Sequence, residues 1–502
     1  MKRWNGWGDD SVDYPLPEGA LQFLVDRVGL AMRPVDARLH DVAARVPASR
    51  VPETTGLSTQ AEDRVRHARG QSLPDWVALR SGRISTCPDA IARPSRADDV
   101  RGLIDLATRT GAALIPYGGG TSVVGHINPP TDPPSITVDT SHLDRLVALD
   151  DKSLLATFGA GISGPALEHQ LQARGYTLGH YPQSWEQSTL GGWIAARSSG
   201  QQSAWYGRIE RLLAGAKVTT PAGELDLPPF PASAAGPELR ELLLGSEGRM
   251  GVITEATVRI ARLPEQDVFH GVFLPDWQSA VEAVREIGQA SVGCSMVRLS
   301  TPTETETMLA LAGHARLRKV LEAYLSVRGA RTGRCMLVLG FTGSRQATRL
   351  ARATALAIVK RHGGVDAGTP LGAQWARSRF RSPLLRNTLW EAGYAIDTLE
   401  TATTWRCVPT MVASIEAAIH GAVAPAGERV HVFSHLSHVY PTGSSIYCTY
   451  LFRLAPDPDE TLARWKAMKG AASRAIVAEG GTISHQHGVG VDHQPWLEAE
   501  KG

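Results

Sequence analysis

Two histidines one residue apart, His485 and His487, sit in SHQHGVG (484–490) near the C-terminal end of the chain. In an extended segment they share one face, because strand side chains alternate with period two. With His493 they make an H-x-H-x5-H spacing that a zinc ion could use, but no plausible carboxylate partner lies nearby, so no metal is expected. His431, His435 and His438 lie together in HVFSHLSHVY (431–440). They are not expected to share one strand face, and their default places are the surface or a hydrogen-bonded core position.

Glycines mark a second kind of chemistry. PYGGGTS (116–122) follows the apolar run ALI. It lacks the GK[ST] ending of a nucleotide P-loop. Its successive amides can still form an anion nest, with Thr121 and Ser122 adding hydroxyls; an ordinary glycine turn is the alternative. Two more loops, PQSWEQSTLGGWIAARSSG (182–200) and LLLGSEGRMGVITEATVRI (242–260), are rich in glycine, hydroxyls and small residues. Three such loops in one region suit a large phosphate-bearing cofactor. A literal G-x-G-x-x-G at Gly159, Gly161 and Gly164 has the strand-to-helix context of a dinucleotide site. No acid follows where one should bind a ribose, so a tight turn needing positive φ is expected instead.

These loops need elements to hold them. Residues 94–190 alternate β and α. SRADDVRGLIDLATRTG is a helix with Ser95 as N-cap and Val100, Leu103, Ile104 and Leu106 on its apolar face. ALIPY, SITVD and SLLATFG are strands, and PALEHQLQARG is a helix that starts at Pro165 and ends at Gly175. From about residue 265 the texture changes. VFHGVFLP, SMVRLS, CMLVLGFTG, ETATTW, VHVFSHLSHVY and SIYCTYLFRL are strands. WQSAVEAVREIGQ, ALAGHARLRKVLEAYLSV, ATRLARATALAIVKRHGG and VPTMVASIEAAIHGAV are helices between them. The fold class is α+β. Residues 1–85 form an N-terminal arm with short helices, 86–264 a first domain, 265–455 a second α/β domain with an antiparallel sheet, and 456–502 a last helix and histidine-containing segment.

The 502 residues carry a net charge of +2, which gives no electrostatic case for nucleic acid. Five scattered cysteines without a CxxC fit a reducing compartment. The opening MKRWNGWGDD is no secretory signal, and no stretch is long and apolar enough to span a bilayer. A cytoplasmic protein is expected, with peripheral membrane contact compatible and a homodimer expected.

PYGGGTS, QSWEQSTLGGW, YGRIERLLAGAKVTTPAGE and LGSEGRMGVITEATV, in that order and spacing, resemble the FAD-binding domain of the vanillyl-alcohol oxidase/PCMH flavoprotein superfamily. The resemblance implies a two-subdomain PCMH-type FAD domain followed by a cap domain that selects the substrate. It places the pyrophosphate on Pro116, Tyr117, Gly118, Gly119, Gly120, Thr121 and Ser122. It places the flavin along Gln183, Ser184, Trp185, Glu186, Gln187, Ser188 and Thr189 and along Ala196, Arg197, Ser198 and Ser199. Glu247, Gly248, Arg249, Met250, Gly251, Val252 and Ile253 are implied at the adenosine side or pyrophosphate. Some members attach flavin to a histidine where this chain has Thr121, so noncovalent FAD is implied. His126 lies outside that slot.

Within the superfamily the chain resembles alkyldihydroxyacetonephosphate synthase, which exchanges the acyl chain of acyl-dihydroxyacetone phosphate for a fatty alcohol in ether-lipid synthesis, through an adduct at the flavin N5. GSSIY resembles its GA-x-IY stretch and implies Tyr447 for proton transfer. SHQHGVG resembles its histidine run, with His485 and His487 present and Gln486 interrupting. RFRSPLLRNTLWEAGYAIDTLETATTW resembles its substrate-arginine segment and implies Arg386 at the substrate. The opening MKRWNGWGDD also resembles the family's start. The sequence ends at EAEKG, before the family's further helix and DPxGxxNPGKL-like tail; either this is a shortened sequence or that closure is missing. The alternative is the 2-hydroxy-acid branch, FAD-dependent oxidoreductases such as D-lactate and glycolate dehydrogenases. Its members bind a metal through GHxGDGNLH-like and EHGxG motifs. Here Gln486 stands in place of the metal-binding glutamate, and a neutral amide replaces a carboxylate poorly on a hard cation.

The implied roles make physical demands. Tyr447 serves as a base only if its ordinary pKa of about 10 is lowered by positive charge or histidine donors, and His485 and His487 are expected to supply them. Arg386 suits phosphate because its fork matches planar oxyanions. Otherwise Tyr447 is strand core and Arg386 is half of a surface ion pair.

Overall fold

The structure is a computed structural model that describes residues 1–311, 322–329 and 332–502. The helix expected over 310–327 lies largely outside the described residues. Helix Ala97–Thr110 buries Val100, Ile104 and Ala107 at helical spacing and ends on Gly111 in the left-handed region. Its N-cap is Arg96, one residue later than expected. The Ser95 amide and hydroxyl both donate to the Asp99 carboxylate, at 2.9 and 3.1 Å, so Ser95 sits just outside the cap. The helix covers parallel strands Ala90–Ala92, Ser135–Asp139 and Ala113–Tyr117, with Leu57–Ser58 antiparallel at the far edge. A second sheet of five antiparallel strands runs in the order Leu146–Asp150, Leu155–Gly159, Val252–Arg259, Leu213–Thr220, Gly223–Leu227. Its core holds Phe158, Ile162, Leu167, Leu171 and Ile194.

Gly159, Gly161 and Gly164 stand at the strand-to-helix junction, but positive φ is not their reason: none of the three lies in the left-handed region. A Cβ on Gly161 would meet Thr140 O at 1.6 Å, and one on Gly159 would meet Leu143 O at 2.4 Å. Backbone packs on backbone there, and only glycine permits it.

The second domain is built on seven antiparallel strands, ordered Val365–Asp366, Gln266–Leu274, Cys335–Gly343, Met296–Ser300, Val430–Val439, Gly443–Arg453, Tyr394–Thr404. Side chains alternate across it. Cys335, Leu337, Leu339 and Phe341 join Leu299, Leu436, Ile446, Cys448 and Leu399 in the largest core, under helices Trp277–Gln289, Arg345–Arg361, Val408–Val423 and Pro458–Ala478. The opposite face carries Arg298, Phe433, His435, Tyr447, Thr449, Ile396, Thr398 and Glu400. Register fixes this: Tyr447 pairs with Glu400 on one side and His435 on the other.

The N-terminal residues are packed into this domain. Helix Leu73–Ser81 opens with a reciprocal capping box between Ser72 and Asp75, and Leu73, Trp76 and Val77 enter the largest core together with Trp7. Asn387 clasps the N-terminal segment: its Oδ1 accepts from the Trp7 amide at 3.1 Å and its Nδ2 donates to the Trp7 carbonyl at 2.9 Å. Asn387→Ala leaves both Trp7 groups unsatisfied in a buried site, an expected cost of about 1–3 kcal/mol. A urea midpoint equal to wild type would show that the clasp does not hold the segment.

Candidate active site

A cavity of about 600 Å3 lies between the glycine-rich loops and the polar face of the seven-stranded sheet. From the loops it takes 116–122 entire, then Gln183, Ser184, Ser188, Thr189, Ala196, Ser198, Ser199, Glu247, Gly248, Gly251, Val252 and Ile253. From the sheet and its helices come Arg298, Glu304, Arg379, Arg386, Thr398, His435, His438, Tyr447, Gln486 and His487. Trp185, Glu186, Gln187, Arg197, Arg249 and Met250 lie off its wall. Trp185 stacks on Phe380 at 5.0 Å between ring centres. Arg197 pairs with Glu241 at 2.8 Å, and Arg249 and Met250 are exposed.

The first loop fits a phosphate group. Gly120 takes the left-handed conformation. Among the described residues the amides of Gly119, Gly120 and Thr121 meet no protein acceptor. Gly119 packs directly on the second loop, so that a Cβ there would stand 1.8 Å from Gln187 O. Ser122 Oγ is occupied with the amides of Val124 and His126, at 3.5 and 3.3 Å.

The cluster that anchors the C-terminal segment centres on Glu400, which is fully buried. Ser437 donates to it at 2.7 Å, and the Gln486 side-chain amide donates to its other oxygen. His485 Nδ1 lies 3.2 Å and His438 Nε2 3.9 Å from the same carboxylate. Burial opposes ionisation of Glu400, but the neighbouring histidines and donors hold its pKa well below the usual carboxylate range. Gln486 also accepts from the Ser199 amide at 3.1 Å, so the residue that interrupts the histidine run bridges sheet and flavin loop. Glu400, His438 and His485 are the one group among the described residues with metal-type ligand atoms within 4.8 Å of each other. Arg208 donates to His485 Nε2 at 3.2 Å, and the Tyr440 hydroxyl lies 2.7 Å from the same atom. A fixed guanidinium so close opposes a cation.

His485 and His487 do not share a face, because the chain bends at 485–487 and the segment is not extended. His485 turns into the Glu400 cluster, while His487 presents its ring edge to Tyr447 at 6.0 Å. The upstream histidines take the hydrogen-bonded core positions expected of them, but not the expected division between faces. His431 and His435 are four residues apart on one strand and share its face. A bulge between Leu436 and Val439 brings His438 to the cavity as well, as bulges do when they re-aim a side chain. All three are buried. His435 stacks on Tyr447 at 4.9 Å and is held by Glu304 at 2.9 Å and Arg298 at 3.1 Å. Burial works against the Glu304 charge, yet Arg298 and His435 bring its pKa down to about 2.

Tyr447 does not gain the environment a standing base needs. Burial pushes its phenol well above the ordinary value and Glu400 and Asp397 add to that, while Thr398 and Arg386 pull the other way. His487 is lowered to about 4, chiefly by burial, and is neutral at neutral pH. Arg386 is no surface ion pair. It stacks over Trp76 at 4.4 Å and donates one bond, to Gln71 O at 2.5 Å. Its Nε and Nη2 meet no acceptor. Burial lowers it to about 10, and Asp397 and Asp75 only partly compensate. A guanidinium in that condition has room for an oxyanion.

Comparison with known proteins identifies the fold. A family model described as an FAD binding domain matches residues 88–226, and one described as FAD linked oxidases, C-terminal domain, matches 263–502. The alkyldihydroxyacetonephosphate synthase of Dictyostelium discoideum is 30% identical over 444 residues, covering 86% of this chain and 72% of that protein. The chain belongs to the alkyldihydroxyacetonephosphate synthase family. A solved alkyldihydroxyacetonephosphate synthase structure superposes with TM-score 0.85 at 26% identity over 99% of this chain and 95% of that one. The uncharacterised FAD-linked oxidoreductase YgcU of Escherichia coli strain K12 is 25% identical over 90% of each chain. The fold is a PCMH-type FAD-binding domain with a cap, the cofactor is FAD, and the protein is an FAD enzyme of the alkylglycerone-phosphate synthase type. Glu400, Arg298 and Glu304 escaped sequence reasoning, and His435 was noticed there without its place beside Tyr447. Each lies opposite Tyr447 or one contact from it, and only strand register could have shown that.

Two predictions follow from this packing. Gly119→Ala forces the Gln187 backbone away, and the purified variant is expected to lose its flavin on desalting; full retention would mean the loops tolerate separation. His180, His431, His438 and His493 are all held down by burial, to about 3 or 4. Below their unfolded value of about 6.5 the unfolded chain binds protons that the folded chain refuses, so stability falls as pH drops, by up to about 1.4 kcal/mol per pH unit for each. Asp492, raised to about 7 mainly by burial, acts oppositely and offsets about one of them. Urea midpoints should therefore decline between about pH 6.5 and 4.5, before most carboxylates titrate.

Proposed function

We propose that this enzyme exchanges the acyl chain of an acyl-dihydroxyacetone phosphate for a fatty alcohol, with FAD held noncovalently by 116–122, 183–189, 196–199 and 247–253. The carrying observation is Arg386, a buried guanidinium with two nitrogens free of acceptors on the cavity wall, its charge acting on Tyr447.

The exchange is redox-neutral. The C1–O bond to the acyloxy group breaks, and its electron pair leaves on the fatty carboxylate. A new C1–O bond forms to the alcohol oxygen, and the alcohol proton is released. The flavin, when bound in its reduced form, would supply the electron-rich centre that activates C1. The chain's own residues orient and move protons. Arg386 takes the substrate phosphate, and its fork fixes the dihydroxyacetone end. Tyr447 is a neutral phenol at rest, so it acts as a relay: it passes its proton toward neutral His487 as it receives the one leaving C1, and the relay runs in reverse to return a proton to C1 once the alcohol oxygen has added. His435, stacked on Tyr447 and fixed by Glu304 and Arg298, sets the ring's position.

A second reading, an FAD-dependent oxidoreductase of a 2-hydroxy acid or alcohol, is supported by the YgcU similarity and by the equal fit of Arg386 to a carboxylate. Anaerobic incubation with palmitoyl-dihydroxyacetone phosphate and radiolabelled hexadecanol separates the two. Labelled alkyl-dihydroxyacetone phosphate is expected, reduced by about 10²-fold or more in Tyr447→Phe. Arg386→Gln is expected to act mainly on KM. Bleaching of the flavin by a hydroxy acid with no ether product would replace the exchange by the oxidoreductase reading.

A further inference from the structure

A second cap guanidinium on the cavity wall has no assigned partner. Arg379 lies between helices Thr369–Ser378 and Ser382–Glu391. Among the described residues it has no carboxylate within ion-pair distance, whereas Arg298 has Glu304 at 2.8 Å. Its side chain makes one protein hydrogen bond, from Nη1 to Gln202 Oε1 at 3.2 Å. Gln202 is fixed for that role, since its Nε2 donates to Asp267 at 2.9 Å and Thr342 at 3.0 Å. The Arg379 carbonyl is held from the flavin side by Gln183 Nε2 at 2.6 Å.

Aromatic rings surround the guanidinium: Phe380 at 4.7 Å, Tyr181 at 5.0 Å, Phe269 at 5.6 Å and Trp375 at 5.8 Å. These contacts stabilise the cation through ring faces and leave its in-plane donors available. Burial lowers the pKa of the group, as expected for a desolvated charge without a counter-ion. The adjoining wall is apolar. Trp375 packs on Phe269 at 5.2 Å and, with Met308, joins the cluster around Met296, and all three line the cavity with Leu311. A cationic head next to an apolar arm is the complement of an anionic amphiphile.

We propose that Arg379 and this arm form a binding site for a long-chain carboxylate. Resting on the exchange reading, that carboxylate is the fatty acid released when the acyloxy C1–O bond breaks. Arg386 and Arg379 then divide the cavity, one holding the phosphate and the other the departing carboxylate.

Equilibrium dialysis of radiolabelled palmitate against the FAD-loaded enzyme tests this without turnover. Saturable binding is expected, weakened about ten- to a hundred-fold in Arg379→Leu, the loss expected for one charge-assisted contact. Arg379→Gln should behave likewise, Arg379→Lys should recover part of the affinity, and Arg386→Gln should leave palmitate binding unchanged. Flavin retention and its absorbance spectrum identify variants that fold. Undiminished palmitate binding in folded Arg379→Gln, or equal loss in Arg386→Gln, would overturn the site. Ether product alongside either result removes the site and leaves the exchange standing. Arg379-dependent palmitate binding without ether product leaves the site and removes the exchange.

Discussion

A buried carboxylate must be surrounded by donors, because ionisation without them is too costly to persist. Glu400 meets that requirement with groups drawn from two places. Ser437 comes from strand Val430–Val439, two strands away in the sheet, and Gln486 and His485 come from the C-terminal segment, while the Gln486 oxygen extends the network to the Ser199 amide on the flavin loop. The path of 485–490 follows from it. The same segment is fastened further by Arg208 on the His485 carbonyl, by His126 on the His487 carbonyl and by Glu247 on the amides of Val489 and Gly490. The cavity wall between the two domains is this stitched segment, so the placement of His487 near Tyr447 depends on a charge that touches neither substrate nor flavin loop directly.

The same constraint gives Gln486 a physical role. A glutamate there, as in the hydroxy-acid branch that the sequence resembles less, would bring a second carboxylate against buried Glu400. Two like charges at that distance cannot both ionise without a cation between them. An amide donates to Glu400 with one end and accepts from Ser199 with the other, which closes the domain contact with no added charge. Arg208, on the far side of His485, completes a cluster whose positive charge is already supplied by the protein.

What could be read from the sequence was what is local. Strand Cys335–Gly343 and helices Trp277–Gln289 and Val408–Val423 have the extents their apolar periodicity indicates, and the three glycine-rich loops converge on one cavity. Non-local placement could not be read. Glu400, His435 and Tyr447 lie on three separate strands, and a one-residue slip in either pairing would turn one of them to the helix-covered face. The bulge before Val439, which brings His438 inward, has no sequence signature of its own. The literal G-x-G-x-x-G was legible as a motif but not as to cause, since Gly159 and Gly161 answer a close approach of backbone at Leu143 and Thr140, and Gly164 one of Trp185. Arg379 and Arg386 sit in RSRFRSPLLRN, whose polar and proline-containing character hides two short helices that turn both guanidinium groups toward the cavity.

The electrostatic pattern of the wall bears on which chemistry it suits. Burial pushes His435, His438 and His487 toward the neutral form and Tyr447 toward the protonated form, outweighing the charges near them. Its buried positive charge is concentrated on arginines, which stay ionised despite desolvation. Such a wall suits anions, and its proton acceptors are neutral imidazoles rather than a phenolate. A reaction that starts and ends with an anionic phosphate, releases a second anion and passes protons only while substrate is bound makes the fewest demands on it.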